Sequence, residues 1–328
     1  MEQKVLRTGT MVIVCALVLR LLSGMTLSPK LASMMIFLQT GRIVRPSGIV
    51  LTPKEDEETT HISRPTENTD SATSVPSPVL PVFSPNDADA IDIKCGFAYS
   101  ANLSELLCKP LNWNLADGQP AVLIYHSHAT ESFSPTSSYK ETSEYHTLDT
   151  SQNMISIGAH LAALLEEKGI GVIHDTSLHD DPSYTDAYSN SRKSVQAYLK
   201  EHPSIRLVLD LHRDAYEDAK GNQVSQTVFS EGVSLAPLMF VVGSDYGGST
   251  HPQWRENLAL ALKLQTLIDD TCPGICRNIN LRSQKFNQDL SPGTLLVEVG
   301  AAGNTHAQAL RAAEVLADGI GRLAHGSL

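Results

Sequence analysis

Residues 121–131 read AVLIYHSHATE. The unbroken apolar run from Ala121 to Tyr125 is what a strand buried on both faces presents. It gives way at once to His126, Ser127 and His128, and then to Glu131, side chains that ligate metals. Ile205–Leu211 is a second strand candidate and runs into Asp210-Leu-His212-Arg213-Asp214; Thr294–Val299 is a third and carries Glu298 among apolar neighbours. Between and around them lie helical patterns. Asn153–Lys168 has apolar residues at helical spacing and stops at Gly169, Tyr188–Glu201 is closed by Pro203, and Trp254–Asp270 and His306–His325 are long and amphipathic. Gly171–His174 and Leu238–Gly243 are further strands, and Leu103–Cys108 is a short helix. Strand and helix alternating over this length predict one α/β domain with an open, mostly parallel sheet flanked by helices. The domain spans 91–328, with its core at 118–325.

In such sheets sites gather past the carboxyl ends of the strands, which is where these polar clusters fall. A catalytic zinc needs three protein ligands and an open position. His126 or His128, together with His212 and Glu131, supplies them. Alternation would point both His126 and His128 the same way only if the strand continued, so one ring can bind the metal while the other shapes the site. A carboxylate on the apolar strand LLVEV is costly unless it works; Glu298 is the candidate general base. Asp210 and Asp214 are candidate acceptors orienting His212 or ordinary caps, Arg213 a candidate partner for the neighbourhood of Asp214 or for a substrate carboxylate, and Glu256 either a capping carboxylate or a pocket residue. Among the other histidines, His174 stands out because it too ends a strand. A Gly-x-Ser-x-Gly elbow and a Walker loop are both absent.

The chain has 328 residues and a formal net charge of −11, with 41% hydrophobic residues. That balance excludes a nucleic-acid partner, which needs clustered Lys and Arg. The charge is uneven. Residues 1–53 carry one acid and six bases, residues 54–92 nine acids and two bases, and residues 93–328 twenty-six acids and seventeen bases. The apolar run around 8–25 predicts an uncleaved spanning helix, since no small-x-small cleavage site follows it. Residues 31–38 suit an interfacial segment, which makes 1–45 a membrane anchor. Residues 46–90, rich in Pro, Ser, Thr and acids, read as a disordered linker. Cys95, Cys108, Cys272 and Cys276 show no zinc-binding spacing.

Five blocks carry a resemblance: LIYHSHATESF (123–133), GIGVIHDTSLHD (169–180), IRLVLDLHRDA (205–215), QWRENLALA (253–261) and FNQDLSPGTLLVEVG (286–300). In this order they resemble the stage II sporulation protein P family. The resemblance implies a peptidoglycan hydrolase with zinc-dependent N-acetylmuramoyl-L-alanine amidase activity and cross-link endopeptidase activity. It implies work at the septum during engulfment, beside a lytic transglycosylase and a membrane-anchoring partner. It also implies a catalytic domain outside the cytoplasmic membrane, held there by a single-pass helix, and a fold like that of the zinc amidases. By position, His126 or His128 matches the first ligand, His212 the second histidine and Glu298 the catalytic glutamate. The middle glutamate of zinc amidases stands just before the first long helix, where this chain has DTSQN (149–153); Glu131 is the substitute, ahead of Glu141 and Glu144. Two other readings compete: a two-metal hydrolase using His126 and His128 together, and a catalytically silent wall-binding scaffold.

Overall fold

The computed structural model describes residues 81–111, 113–139 and 144–325, which belong to one compact unit, 74–328. Its strands are β1 (Ile93–Cys95), β2 (Pro120–Tyr125), β3 (Gly171–His174), β4 (Leu207–Asp214), β5 (Val228–Ser230), β6 (Val233–Leu235), β7 (Leu238–Gly243), β8 (Ile279–Arg282) and β9 (Thr294–Ala301). Its helices are α1 (Leu103–Cys108), α2 (Met154–Glu167), α3 (Ala187–Glu201), α4 (Trp254–Thr271) and α5 (His306–His325). The main sheet has the order β1-β8-β7-β9-β4-β2-β3. Every neighbouring pair in it is parallel except β7 and β9. The exception has a local cause. After β4 the chain makes no crossover helix; it folds the small β5–β6 hairpin and re-enters the sheet two residues later, so β7 runs back against β9.

Alternation along the strands sorts side chains between two faces. Val122 and Ile124 of β2, Leu209 and Leu211 of β4, and Val297 and Val299 of β9 join the main core with residues of α2, α4 and α5. Their alternates face α3 or the 286 loop, where Leu123, Tyr125 and Val208 pack with Val195, and Leu296 packs with Met239, Val241 and Phe286. The second face also receives Asp210, His212 and Glu298, because Asp210 and His212 lie two and four residues on from Val208, and Glu298 two on from Leu296. Helix ends follow from capping. The Asn153 side chain accepts a hydrogen bond from Ile155 N, and Gly169 takes a left-handed φ of 75° just past α2.

Two expectations are corrected. The linker reading runs to residue 90, but Pro85–Ala90 form a 3-10 helix capped by Ser84, with Ala88 buried in the main core. The single-pass membrane placement is also overturned: among the described residues no helix is long and apolar enough to cross a membrane. The candidate span at 8–25, the interfacial segment and most of the linker lie outside the described residues.

Candidate active site

β2 ends at Tyr125, and residues 127–130 form a turn. This turn decides which histidine reaches the site. His126 still follows the strand's alternation and points beneath α2. There its Nε2 lies 2.9 Å from His174 Nε2, and its Nδ1 lies 3.1 Å from the Leu211 carbonyl. Gly158 of α2 covers this pair so closely that a Cβ there would sit 2.5 Å from His174 Nε2 and 2.6 Å from His126 Nε2. Burial, with His174 beside it, lowers the His126 pKa to about 3. His128 is carried by the turn to the opposite face, beside His212, with ring centroids 5.1 Å apart. His126 therefore does not join the ligand cluster, and the His126/His128 pair does not form a two-metal site.

His128, Glu131 and His212 each aim one ligating atom at a common point, and these atoms lie within 4.8 Å of one another. His128 Nδ1 is 3.8 Å from Glu131 Oε1, and His212 Nδ1 is 3.5 Å from Glu131 Oε2. Two ligands about 2.1 Å from a tetrahedral zinc stand about 3.4 Å apart, so the spacing suits a shared cation. The i, i+3 turn from His128 to Glu131, closed by Glu131 N donating to the His128 carbonyl at 3.3 Å, sets the two side by side. Of the alternative carboxylates, Glu144 is exposed and Glu141 lies outside the described residues. The DTSQN segment supplies only the cap of α2.

Arg213 is buried and clamps Glu131. Its backbone N donates to Glu131 Oε2 at 3.1 Å, its Nη1 is 3.6 Å from Oε1, and its Nε donates to the Ser132 carbonyl at 3.0 Å. The contacts it makes here are with Glu131 and its neighbours. Burial would raise the Glu131 carboxyl, but Arg213 and then His212 outweigh it and hold the group at about 2.

Asp210 accepts from Ser127 N and Ser127 Oγ, both at 2.7 Å, and its Oδ1 lies 2.9 Å from His212 Nε2. That last approach is a charge contact, since Nε2 has no aligned hydrogen bond. Burial opposes a charge on His212, yet Asp210 and Tyr188 beside it raise its pKa well above 6.5. Carboxylates strong enough to do this make the centre favourable for a cation.

Asp214 turns away to pair with Arg277 at 2.8 Å, so it does not orient His212. Glu256 is partly exposed on α4, 3.5 Å from Lys109, and takes no part in the site.

β4 and β9 pair with His212 opposite Glu298, so both project from the same face of adjacent strands. Glu298 Oε2 is buried with no hydrogen-bond partner, and burial pushes its carboxyl up to about 8. An orphaned carboxylate oxygen beside three convergent ligands fits a metal and a proton-transfer group; His₂Glu is a zinc-type donor set.

Two tyrosines escaped the sequence reading. Tyr184 stacks on His128 with ring centroids 4.1 Å apart, and Tyr188, in the first turn of α3, meets the same ring edge-on at 5.4 Å. Burial raises the Tyr188 phenol above its usual value; His212 opposes this, while Asp210, Glu131 and Glu298 add to it. Their i, i+4 spacing at the opening of a helix beyond a strand end is the signal that could have found them.

Fold and site together define an α/β protein with a buried His–Glu–His cluster and a neighbouring glutamate at the carboxyl edge of a mostly parallel sheet. The family model of Stage II sporulation protein P matches residues 49–321, and the chain belongs to that family. Stage II sporulation protein P of Bacillus subtilis (strain 168) is 28% identical over 208 residues, covering 60% of this chain and 49% of that protein. The chain therefore spans about half the length of the curated relative it matches.

Among solved structures, an N-acetylmuramoyl-L-alanine amidase from Clostridium difficile 630 is 18% identical with a TM-score of 0.37, covering 63% of this chain and 95% of that one. The CwlD amidase from Clostridioides difficile, solved with the GerS lipoprotein, is 14% identical with a TM-score of 0.39 and covers 62% and 98%. The Ami1 amidase from Mycobacterium smegmatis is 12% identical with a TM-score of 0.40 and covers 65% and 100%. These similarities are too distant to bear on chemistry.

Proposed function

We propose that the protein is a zinc-dependent peptidoglycan hydrolase that cleaves the N-acetylmuramoyl-L-alanine amide bond, with peptide cross-links as second substrates, during sporulation. One observation carries the reading: three convergent ligating side chains, His128, Glu131 and His212, with the orphaned Glu298 carboxylate in register beside His212. Membership in the sporulation family supports the wall as substrate. A zinc ion held by the three would supply Lewis acidity and lower the pKa of water to about 7.

The chain's own groups do the rest. Asp210 fixes the His212 ring and Arg213 fixes Glu131, so the ligands are set before any cation arrives. Glu298 takes the proton of the attacking water and returns it to the departing L-alanine nitrogen. Burial raises the Glu298 carboxyl, which suits the return of the proton, and a cation held by the three ligands would favour the ionised form that takes it first.

Zinc titration of the chelator-stripped protein against activity on sacculi tests this reading. One equivalent per chain should restore full release of stem peptides. A requirement for two equivalents would contradict the single-cation site, and wall binding without release would make the protein a scaffold.

A further inference from the structure

The segment FNQDL (286–290) has no role in the chemistry above, yet its backbone is unusual. Phe286 and Asn287 are consecutive non-glycine residues with φ of 49° and 58°. Left-handed conformations cost side-chain-bearing residues energy and persist where surrounding contacts impose them. Here the contacts lead to Tyr188. Asn287 Nδ2 donates to the Tyr188 carbonyl at 2.9 Å and lies 3.2 Å from Ser191 Oγ, and the Phe286 ring packs against the Tyr188 ring at 5.9 Å. Ser191 Oγ is in turn 3.0 Å from Ser127 Oγ, which donates to Asp210. Arg192, in the same helix, grips Asp289 with two hydrogen bonds at 2.8 and 2.9 Å. The loop thus holds the first turn of α3 against the acidic side of the site.

What it holds there is a phenol. The Tyr188 ring lies edge-on to His128 and nearly parallel to His212, with centroids 6.4 Å apart and 14° between planes. The phenol is thus a hydrogen-bond donor at the edge of the ligand cluster.

We propose that Tyr188 is a catalytic residue whose hydroxyl donates a hydrogen bond to the oxygen of the scissile carbonyl as it gains charge, and that Asn287 is the residue that positions it. The inference rests on the amidase reading above. In the step concerned, the water oxygen bonds to the carbonyl carbon while its proton passes to Glu298. The carbonyl π pair moves onto oxygen, where the Tyr188 O–H meets it. As the pair returns, the C–N bond breaks and Glu298 gives its proton to the nitrogen. One water is consumed, and a lactyl carboxylic acid and an L-alanine amine are produced.

Steady-state kinetics of the zinc-loaded full chain on solubilised sacculi, with a competitive zinc titration of each variant, tests this. Tyr188→Phe keeps the ring and its packing and removes only the donor. It should lower kcat by about 10²-fold, as loss of an oxyanion donor does, with KM and zinc affinity unchanged. Asn287→Ala should lower kcat in the wild type and add nothing in the Tyr188→Phe background, which a merely structural loss would not do. A fall in kcat of less than tenfold for Tyr188→Phe, or a loss confined to KM or zinc affinity, overturns the proposal and leaves the amidase reading standing. A wild-type protein that releases no stem peptide overturns both.

Discussion

His126 and His128 are two residues apart and have opposite environments. His126 is fully buried under Gly158 with its imidazole paired to His174, whereas His128 faces Glu131 and His212 across a gap of cation size. The prediction at this scale is a contrast in zinc affinity, measured by competition with a chromophoric chelator. His128→Ala should lose more than the 10–100-fold that removal of an outer partner costs, because a ligand itself is gone. His126→Gln should stay within about tenfold of the wild type, since its ring touches no ligand. The reverse order would place the metal on the α2 side of the sheet. Sequence could not separate the two rings, because the choice depends on where β2 stops and the 127–130 turn begins, and no residue type marks that point.

At the scale of elements, the 286–290 loop is tied to α3 by the ion pairs of Asp289 with Arg192 and Lys285, the latter at 2.9 Å. Burial would raise the Asp289 carboxyl, but Arg192 and then Lys285 outweigh it and hold the group at about 2, against an ordinary 3.8. A carboxyl with a depressed folded pKa stabilises the fold fully above its unfolded value and loses that contribution as pH falls through the folded one. The pair should therefore stabilise the protein above about pH 4 and fade towards pH 2. Urea unfolding across this window should show a shallower acid loss in Asp289→Asn than in the wild type. At pH 7 the variant should be less stable by about 1 kcal/mol, a figure kept small because the pair is partly solvated. Equal acid slopes in the two proteins would mean that the loop is held by packing alone.

Over the whole molecule, strands β2, β3, β4, β7 and β9 and helices α1 to α5 are all legible in the sequence, because long apolar periodicity and capping residues such as Asn153 and Gly169 mark them. β1, β5, β6 and β8, each of three or four residues, are not; the equally short β3 is marked by Gly169, which ends the helix before it. The reversal of β7 is equally hidden, since direction in a sheet follows from the connection and not from the strand's own residues. The same limit applies to the site. Glu298 stands out as a charge on an apolar strand, and Glu131 as a glutamate three residues beyond a histidine. The roles of Arg213 and Asp214 depend on which neighbour each meets across the sheet, so Arg213 grips Glu131 and Asp214 grips Arg277.

The central claim concerns one bond and the residues that break it. Its most direct test is mass spectrometry of the products formed from sacculi by the full chain in ¹⁸O-labelled water. Free L-alanine amines and a single label in each new lactyl carboxylate, with neither product from Glu298→Gln, are the predicted result. Intact lactyl-alanine bonds in the wild-type digest, or full cleavage by the variant, would contradict the account.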